Sequence, residues 1–136
     1  MSEAKTNNSN PVNHLAPLIF VVDDEPMLLE LASVILEPQG YQVKTFRDPE
    51  MALDAFIAAH PRPVLLITDY AMHSMNGMQL IEKFRAIEPG QKILLVSGTV
   101  GEDIFRNAPS RPDRFLAKPY LADQLTTTVK TLVGMK

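Results

Sequence analysis

Asp23, Asp24 and Asp69 lie far apart in the chain, yet each follows an apolar run: Leu18–Val22 leads into Asp23-Asp24, and Val64–Thr68 into Asp69. Lys118 ends the run Phe115-Leu-Ala117 and precedes Pro119, while Ser97 ends Lys92–Val96 and precedes Gly98. Three carboxylates gathered at one place repel one another, and a cation must offset them. Mg²⁺ suits such a set because it is hard, oxygen-seeking and held by few carboxylates. An aspartate oxygen can also attack a phosphoryl group and form an acyl phosphate. The ammonium of Lys118 and the hydroxyl of Ser97 would then offset charge on the transferred group, and the small Gly98 leaves room for backbone approach. Taken singly, Asp23 or Asp24 reads as a helix cap and Lys118 as a solvated lysine. Their joint placement at strand ends favours phosphoryl chemistry.

Such convergence needs a parallel sheet. Buried apolar runs of about five residues suit central strands covered on both faces, and ligands of such sheets bind outside the carboxyl ends of the strands. The chain supplies five candidate strands: Leu18–Val22, Tyr41–Phe46, Val64–Thr68, Lys92–Ser97 and Arg114–Lys118. The second alternates apolar and polar residues, as an edge strand does. The first helix starts at Pro26, presents Met27, Leu28, Leu31, Val34 and Ile35 at helical spacing, and stops at Pro38 and Gly40. Asp48 caps a second helix that begins at Pro49 and runs through Ala59. A loop from Asp69 to Asn76 precedes a third helix carrying Leu80, Ile81 and Phe84. Residues 98–112 contain two glycines and two prolines and allow only a short helix, roughly 102–107. The last helix carries Leu121, Leu125, Val129 and Leu132 as an apolar stripe. The pattern predicts an α/β fold: a doubly wound five-stranded parallel sheet of flavodoxin-like order 2-1-3-4-5, with helices on both faces.

Bulk properties narrow the alternatives. A chain of 136 residues is one domain by size, and 46% hydrophobic with 21% charged residues is ordinary for a globular protein. A net charge of −3 without a basic run argues against nucleic-acid binding. Zero cysteines exclude disulfides and thiolate metal sites, and the three histidines, His14, His60 and His73, are too scattered for a zinc centre. No apolar stretch is long enough for a membrane span, so neither membrane nor nucleic acid is an expected partner and a cytoplasmic location is expected. Residues 1–17 are polar and Asn-rich and read as a disordered leader to a domain covering 18–136.

At these residues the sequence resembles the receiver domain of two-component response regulators. Val21-Val-Asp-Asp-Glu-Pro26, Asp69-Tyr-Ala-Met-His-Ser-Met-Asn-Gly77, Leu94-Leu-Val-Ser-Gly98 and Phe115-Leu-Ala-Lys-Pro119 match its four motifs in order. The resemblance implies that Asp69 is phosphorylated by a phosphohistidine of a histidine kinase or a histidine phosphotransfer protein. It implies that Asp23, Asp24, Asp69 and the backbone carbonyl of Ala71 bind Mg²⁺, that Lys118 contacts the phosphoryl group, and that Lys118–Pro119 is cis. It also implies that Ser97 and Phe115 form a switch pair that reshapes the surface on phosphorylation. Three positions depart from the usual pattern: His73 stands where Pro is common, Ser97 where Thr is commoner, and Phe115 where Tyr is commoner. The small Ala71 occupies the position that tunes hydrolysis in this family.

The expected function is therefore that of a stand-alone, Mg²⁺-dependent phosphoacceptor in a phosphorelay, acting on itself rather than as a conventional enzyme. No effector domain is expected after Val133, so output should pass through altered contacts with a downstream protein. A phosphorylation-independent interaction module is the alternative. An aspartate-nucleophile phosphohydrolase is disfavoured because Ala71 stands where a second aspartate would be needed, and a flavodoxin because no Ser/Thr-rich phosphate loop follows the first strand.

Overall fold

The computed structural model describes residues 16–134. The expected leader lies outside the described residues except for Ala16 and Pro17, whose carbonyls accept hydrogen bonds from Gln42, at 2.8 Å from its side chain and 2.9 Å from its backbone N–H. Five parallel strands follow: β1 (Leu18–Val22), β2 (Gln42–Phe46), β3 (Leu65–Asp69), β4 (Ile93–Ser97) and β5 (Arg114–Ala117). Their spatial order is β2-β1-β3-β4-β5, so β1 and β3 are neighbours where the winding reverses. Four α-helices cover the sheet: α1 (Pro26–Leu36), α2 (Pro49–Ala58), α3 (Gly77–Ile87) and α4 (Ala122–Gly134). This is the doubly wound architecture anticipated from the apolar runs.

Alternate strand residues feed two cores. Ile19, Val21, Leu65, Ile67, Leu94 and Val96 pack against α1 and α4. Phe20, Val22, Leu66, Leu95 and Ile93 face the other way, against α2 and α3. There Phe56 and Phe84 stack with ring centroids 4.2 Å apart, tying α2 to α3. Because both faces are covered, the central strands show no polar alternation, and that is why they read as continuous apolar runs.

Helix ends follow their local chemistry. The Asp48 carboxylate accepts from the Glu50 N–H at 2.9 Å, with Pro49 opening α2. Asn76 and Gln79 form a reciprocal capping box at the start of α3. Helix α1 gives way to a 3₁₀ turn, Glu37–Gln39, and then to Gly40 at φ +99°, a left-handed conformation that glycine adopts without strain.

Two apolar stripes differ from the expected ones. On α1 the buried residues are Leu29, Ala32 and Leu36, whereas Met27 is 83%, Leu31 43% and Val34 62% exposed. Helix α1 is apolar on most of its circumference, so spacing alone leaves its phase open, and packing on β1 and β2 selects the Leu29 face. Leu121 precedes α4 and is exposed, leaving Leu125, Val129 and Leu132 as the buried stripe.

Residues 98–112 hold a single 3₁₀ turn, Glu102–Phe105, shorter than the expected helix. Arg85 of α3 fastens the end of this segment. Its guanidinium donates to Ser110 Oγ at 3.2 Å, to the Arg111 carbonyl, to the Gln91 carbonyl at 3.1 Å and to Asp113 Oδ2 at 2.8 Å. Asp113 Oδ2 also accepts the Ile93 N–H at 2.8 Å, so the pair links α3, β4 and the approach to β5. The planar fork of arginine satisfies several acceptors at once, which lysine cannot do. Replacing Arg85 by Ala is expected to lower stability by about 2–3 kcal/mol in urea unfolding, with Arg85→Lys recovering less than half. A loss below about 0.5 kcal/mol would show that the fork is a solvated surface contact.

Candidate functional site

Strand register assembles the site. Val22 lies opposite Thr68, so the residues that follow them, Asp23 and Asp69, emerge side by side from β1 and β3. Ser97 lies opposite Ala117, so Lys118 leaves β5 at the same edge. Asp23 is 6% and Asp69 8% exposed, and Asp24 is half-buried at the mouth. Carboxylate oxygens of Asp23, Asp24 and Asp69 all lie within 4.8 Å of one another.

Lys118 joins the two buried acids. Its Nζ is 3.0 Å from Asp23 Oδ2 and 3.1 Å from Asp69 Oδ1. The second Asp23 oxygen, Oδ1, accepts the Glu25 N–H at 2.9 Å, which fixes the carboxylate plane. Lys118–Pro119 is cis, as the resemblance implies, and His60–Pro61 is cis as well. Gly77 closes the acceptor loop under Asp69: its N–H donates to the Tyr70 carbonyl at 2.8 Å. A Cβ at this position would lie 2.5 Å from the Asp69 backbone oxygen and 2.8 Å from Leu95 Cδ1, so only glycine fits there.

The electrostatics follow from burial. Removal from water raises the pKa of Asp69 first, and the neighbouring charge of Asp23 adds to it, while Lys118 and the Tyr70 N–H oppose. Burial alone would lower Lys118, but the hydrogen bonds and charges of Asp23 and then Asp69 outweigh it, so its pKa is raised and the ammonium is retained. Tyr120, two residues beyond Lys118, has its pKa raised mainly by burial, and it feels both Lys118 and Asp23. Tyr120 therefore lies within the field of the site, although nothing in its sequence position marked it.

The other expected site residues are placed as follows. Ser97 is buried at the end of β4, but its hydroxyl accepts the N–H groups of Thr99 and Val100, each at 3.1 Å, and shares a 3.3 Å contact with Thr99 Oγ1. It is thus engaged in its own turn. Phe115 is half-buried on β5, with its ring centroid 6.1 Å from that of Phe105 in the 3₁₀ turn. Ala71 is exposed on the acceptor loop, two residues past Asp69. His73, on the same loop, places Nε2 3.4 Å from Asp24 Oδ2.

The donor set is oxygen-only among the clustered acids and concentrated at one edge, which fits a hard divalent cation better than zinc. A doubly wound sheet carries an aspartate triad and a paired lysine at its carboxyl edge. The chain belongs to the response regulator receiver domain family, which it matches over residues 19–130. It is similar to the probable transcriptional regulatory protein TcrX of Mycobacterium tuberculosis, at 28% identity over 85% of this chain and 49% of TcrX. It is also similar to the DNA-binding response regulator MtrA of Mycolicibacterium smegmatis, at 29% identity over 82% of this chain and 48% of that protein. The chain therefore spans about half the length of these relatives. Among solved structures, the response regulator TrrA of Thermotoga maritima in complex with Mg²⁺-BeF matches with a TM-score of 0.74 and 30% identity, covering 85% of this chain and 98% of that one. Receiver domains bind Mg²⁺ at an acidic cluster, and Asp23, Asp24 and Asp69 form that cluster here. The relatives' names lend no support to the expectation that nucleic acid is excluded as a partner. Among the described residues no helix is long and apolar enough to cross a membrane.

The raised pKa of Asp69 sets a pH signature. The native state holds the Asp69 proton more tightly than the unfolded chain, so ionising this group costs native stability as pH rises from its ordinary value of 3.8. In metal-free buffer, Asp69→Asn is expected to gain stability relative to the parent protein as pH rises from 3.8 through the elevated folded pKa, and saturating Mg²⁺ should erase most of that gain. Urea midpoints across pH measure this; a difference independent of both pH and Mg²⁺ would contradict it.

Proposed function

We propose that the protein is a phosphoacceptor: Asp69 receives a phosphoryl group from a phosphohistidine of a histidine kinase or histidine phosphotransfer protein. The observation that carries this reading is the placement of Lys118 Nζ within 3.1 Å of the buried Asp69 carboxylate, beside two further acids. In the transfer, an Asp69 oxygen attacks phosphorus, the phosphorus–imidazole bond breaks, and an acyl phosphate forms. Lys118 is placed to stay with the phosphoryl oxygens as negative charge moves onto them. Asp23 and Asp24 would hold Mg²⁺ together with Asp69 and, by the family resemblance, the Ala71 carbonyl; the bound ion supplies charge neutralisation to the phosphoryl oxygens. Ser97 would leave its turn to donate to the phosphoryl group, freeing the Thr99 and Val100 N–H groups and loosening the loop that precedes Phe105. Output then runs through the rearranged face around Phe115 and Phe105 toward a downstream protein. The chemistry is confined to the protein's own phosphorylation and dephosphorylation, as expected of a cytoplasmic signalling domain and not of a substrate-turnover enzyme.

Acetyl phosphate with Mg²⁺ is expected to add one phosphoryl mass to the protein, and Asp69→Asn to abolish that addition. Lys118→Ala should reduce it by at least about tenfold, the loss of one charge-assisted contact to the transferred group. Labelling that persists in Asp69→Asn, or none in the parent protein, would favour the phosphorylation-independent interaction module.

The exposed Met27, Leu31 and Val34 line one face of α1, the helix that begins just after Asp24. An apolar stripe beside the acceptor suits docking of the phosphodonor protein. Leu31→Glu is expected to slow transfer from a phosphorylated donor about tenfold while leaving labelling by acetyl phosphate unchanged. Equal effects on both donors would remove this face from the interface.

A further inference from the structure

We infer that His73 is an additional, nitrogen ligand of the cation pocket, giving it a preference for first-row transition divalent ions over Mg²⁺. The inference rests on the metal-binding reading of Asp23, Asp24 and Asp69 and adds a donor of different chemistry. His73 lies on the loop between β3 and α3, with its side chain 88% exposed and Nε2 3.4 Å from Asp24 Oδ2. Neighbouring donors around a six-coordinate ion with bonds of about 2.1 Å sit about 3 Å apart. The His73–Asp24 spacing therefore lets one ion take these two donors after a shift of a few tenths of an ångström, while His73 lies outside the 4.8 Å group of the three carboxylates and its exposed side chain must swing toward them to join the same ion. Among the described residues the cluster is otherwise made of carboxylates. Mg²⁺ gains little from an imidazole, whereas Mn²⁺, Co²⁺ and Ni²⁺ accept nitrogen with rising affinity along that series. His73 and Asp24 are also the more exposed members of the group, whereas Lys118 contacts the buried Asp23 and Asp69. An ion entering from solvent meets Asp24 and His73 first.

Electron spin-echo spectroscopy of the full chain loaded with Mn²⁺ tests this directly, because a ligating imidazole imprints ¹⁴N modulation on the manganese signal. The modulation is expected in the parent protein and in His60→Ala, and its loss in His73→Ala. In calorimetric titrations with Mg²⁺, Mn²⁺ and Co²⁺, His73→Ala should weaken Co²⁺ about tenfold or more and leave Mg²⁺ within about twofold. Bound Mn²⁺ without ¹⁴N modulation, or equal weakening of all three ions, would overturn the assignment of His73 and leave the carboxylate pocket standing. Failure of all three ions to bind the parent protein would overturn the pocket itself.

Discussion

The contact between the Lys118 ammonium and the carboxylates of Asp23 and Asp69 is the constraint around which the rest of the molecule is organised. Two buried acids at neighbouring strand ends are mutually repulsive, and removal from water makes each charge more costly. A single cation within 3.1 Å of both offsets that repulsion before any metal arrives. It can do so only because β1, β3 and β5 end at one edge of a parallel sheet, and the sheet exists only because two apolar layers cover it. The third carboxylate, Asp24, stays at the wetter mouth and is left for an incoming ion.

That arrangement was largely legible in the sequence because of how a buried strand ends. A polar residue closing a short, mostly apolar run marks the carboxyl edge, and four such interruptions occurred at Asp23, Asp69, Ser97 and Lys118. Edge character in β2 then pointed to the strand order, which the hydrogen-bonded register establishes. What could not be read was any feature decided by orientation around an axis. Helix α1 offers apolar residues on nearly every side, so only packing distinguishes buried Leu29 from exposed Met27. The same holds for the Ser97 hydroxyl: its residue type predicts a donor for phosphate, but its rotamer and turn place it against the Thr99 and Val100 N–H groups. Tyr120 entered the field of the site through β5 geometry alone.

Residues 98–112 were marked by their prolines and glycines as poor helix, and the structure gives the physical remedy. Lacking a full helix to cover this side of the sheet, the chain buries Phe105 against the second core and anchors the segment through Arg85. Bonds from a guanidinium to backbone carbonyls leave no sequence signature, since any residue supplies the acceptor. The half-buried Phe115 faces this short segment in place of a long helix, its ring centroid 6.1 Å from that of Phe105.

The central claim is that Asp69 is the reacting carboxylate within a pocket completed by Asp23, Asp24 and Lys118. A crystal structure of the protein treated with Mg²⁺ and beryllofluoride tests it most directly. The expected result is a beryllofluoride group on an Asp69 oxygen, Lys118 Nζ in contact with a fluoride, and an ion held by Asp23 and Asp24. Beryllofluoride on another carboxylate, or an Asp69 side chain unchanged at saturating reagent with the ion bound elsewhere, would contradict it.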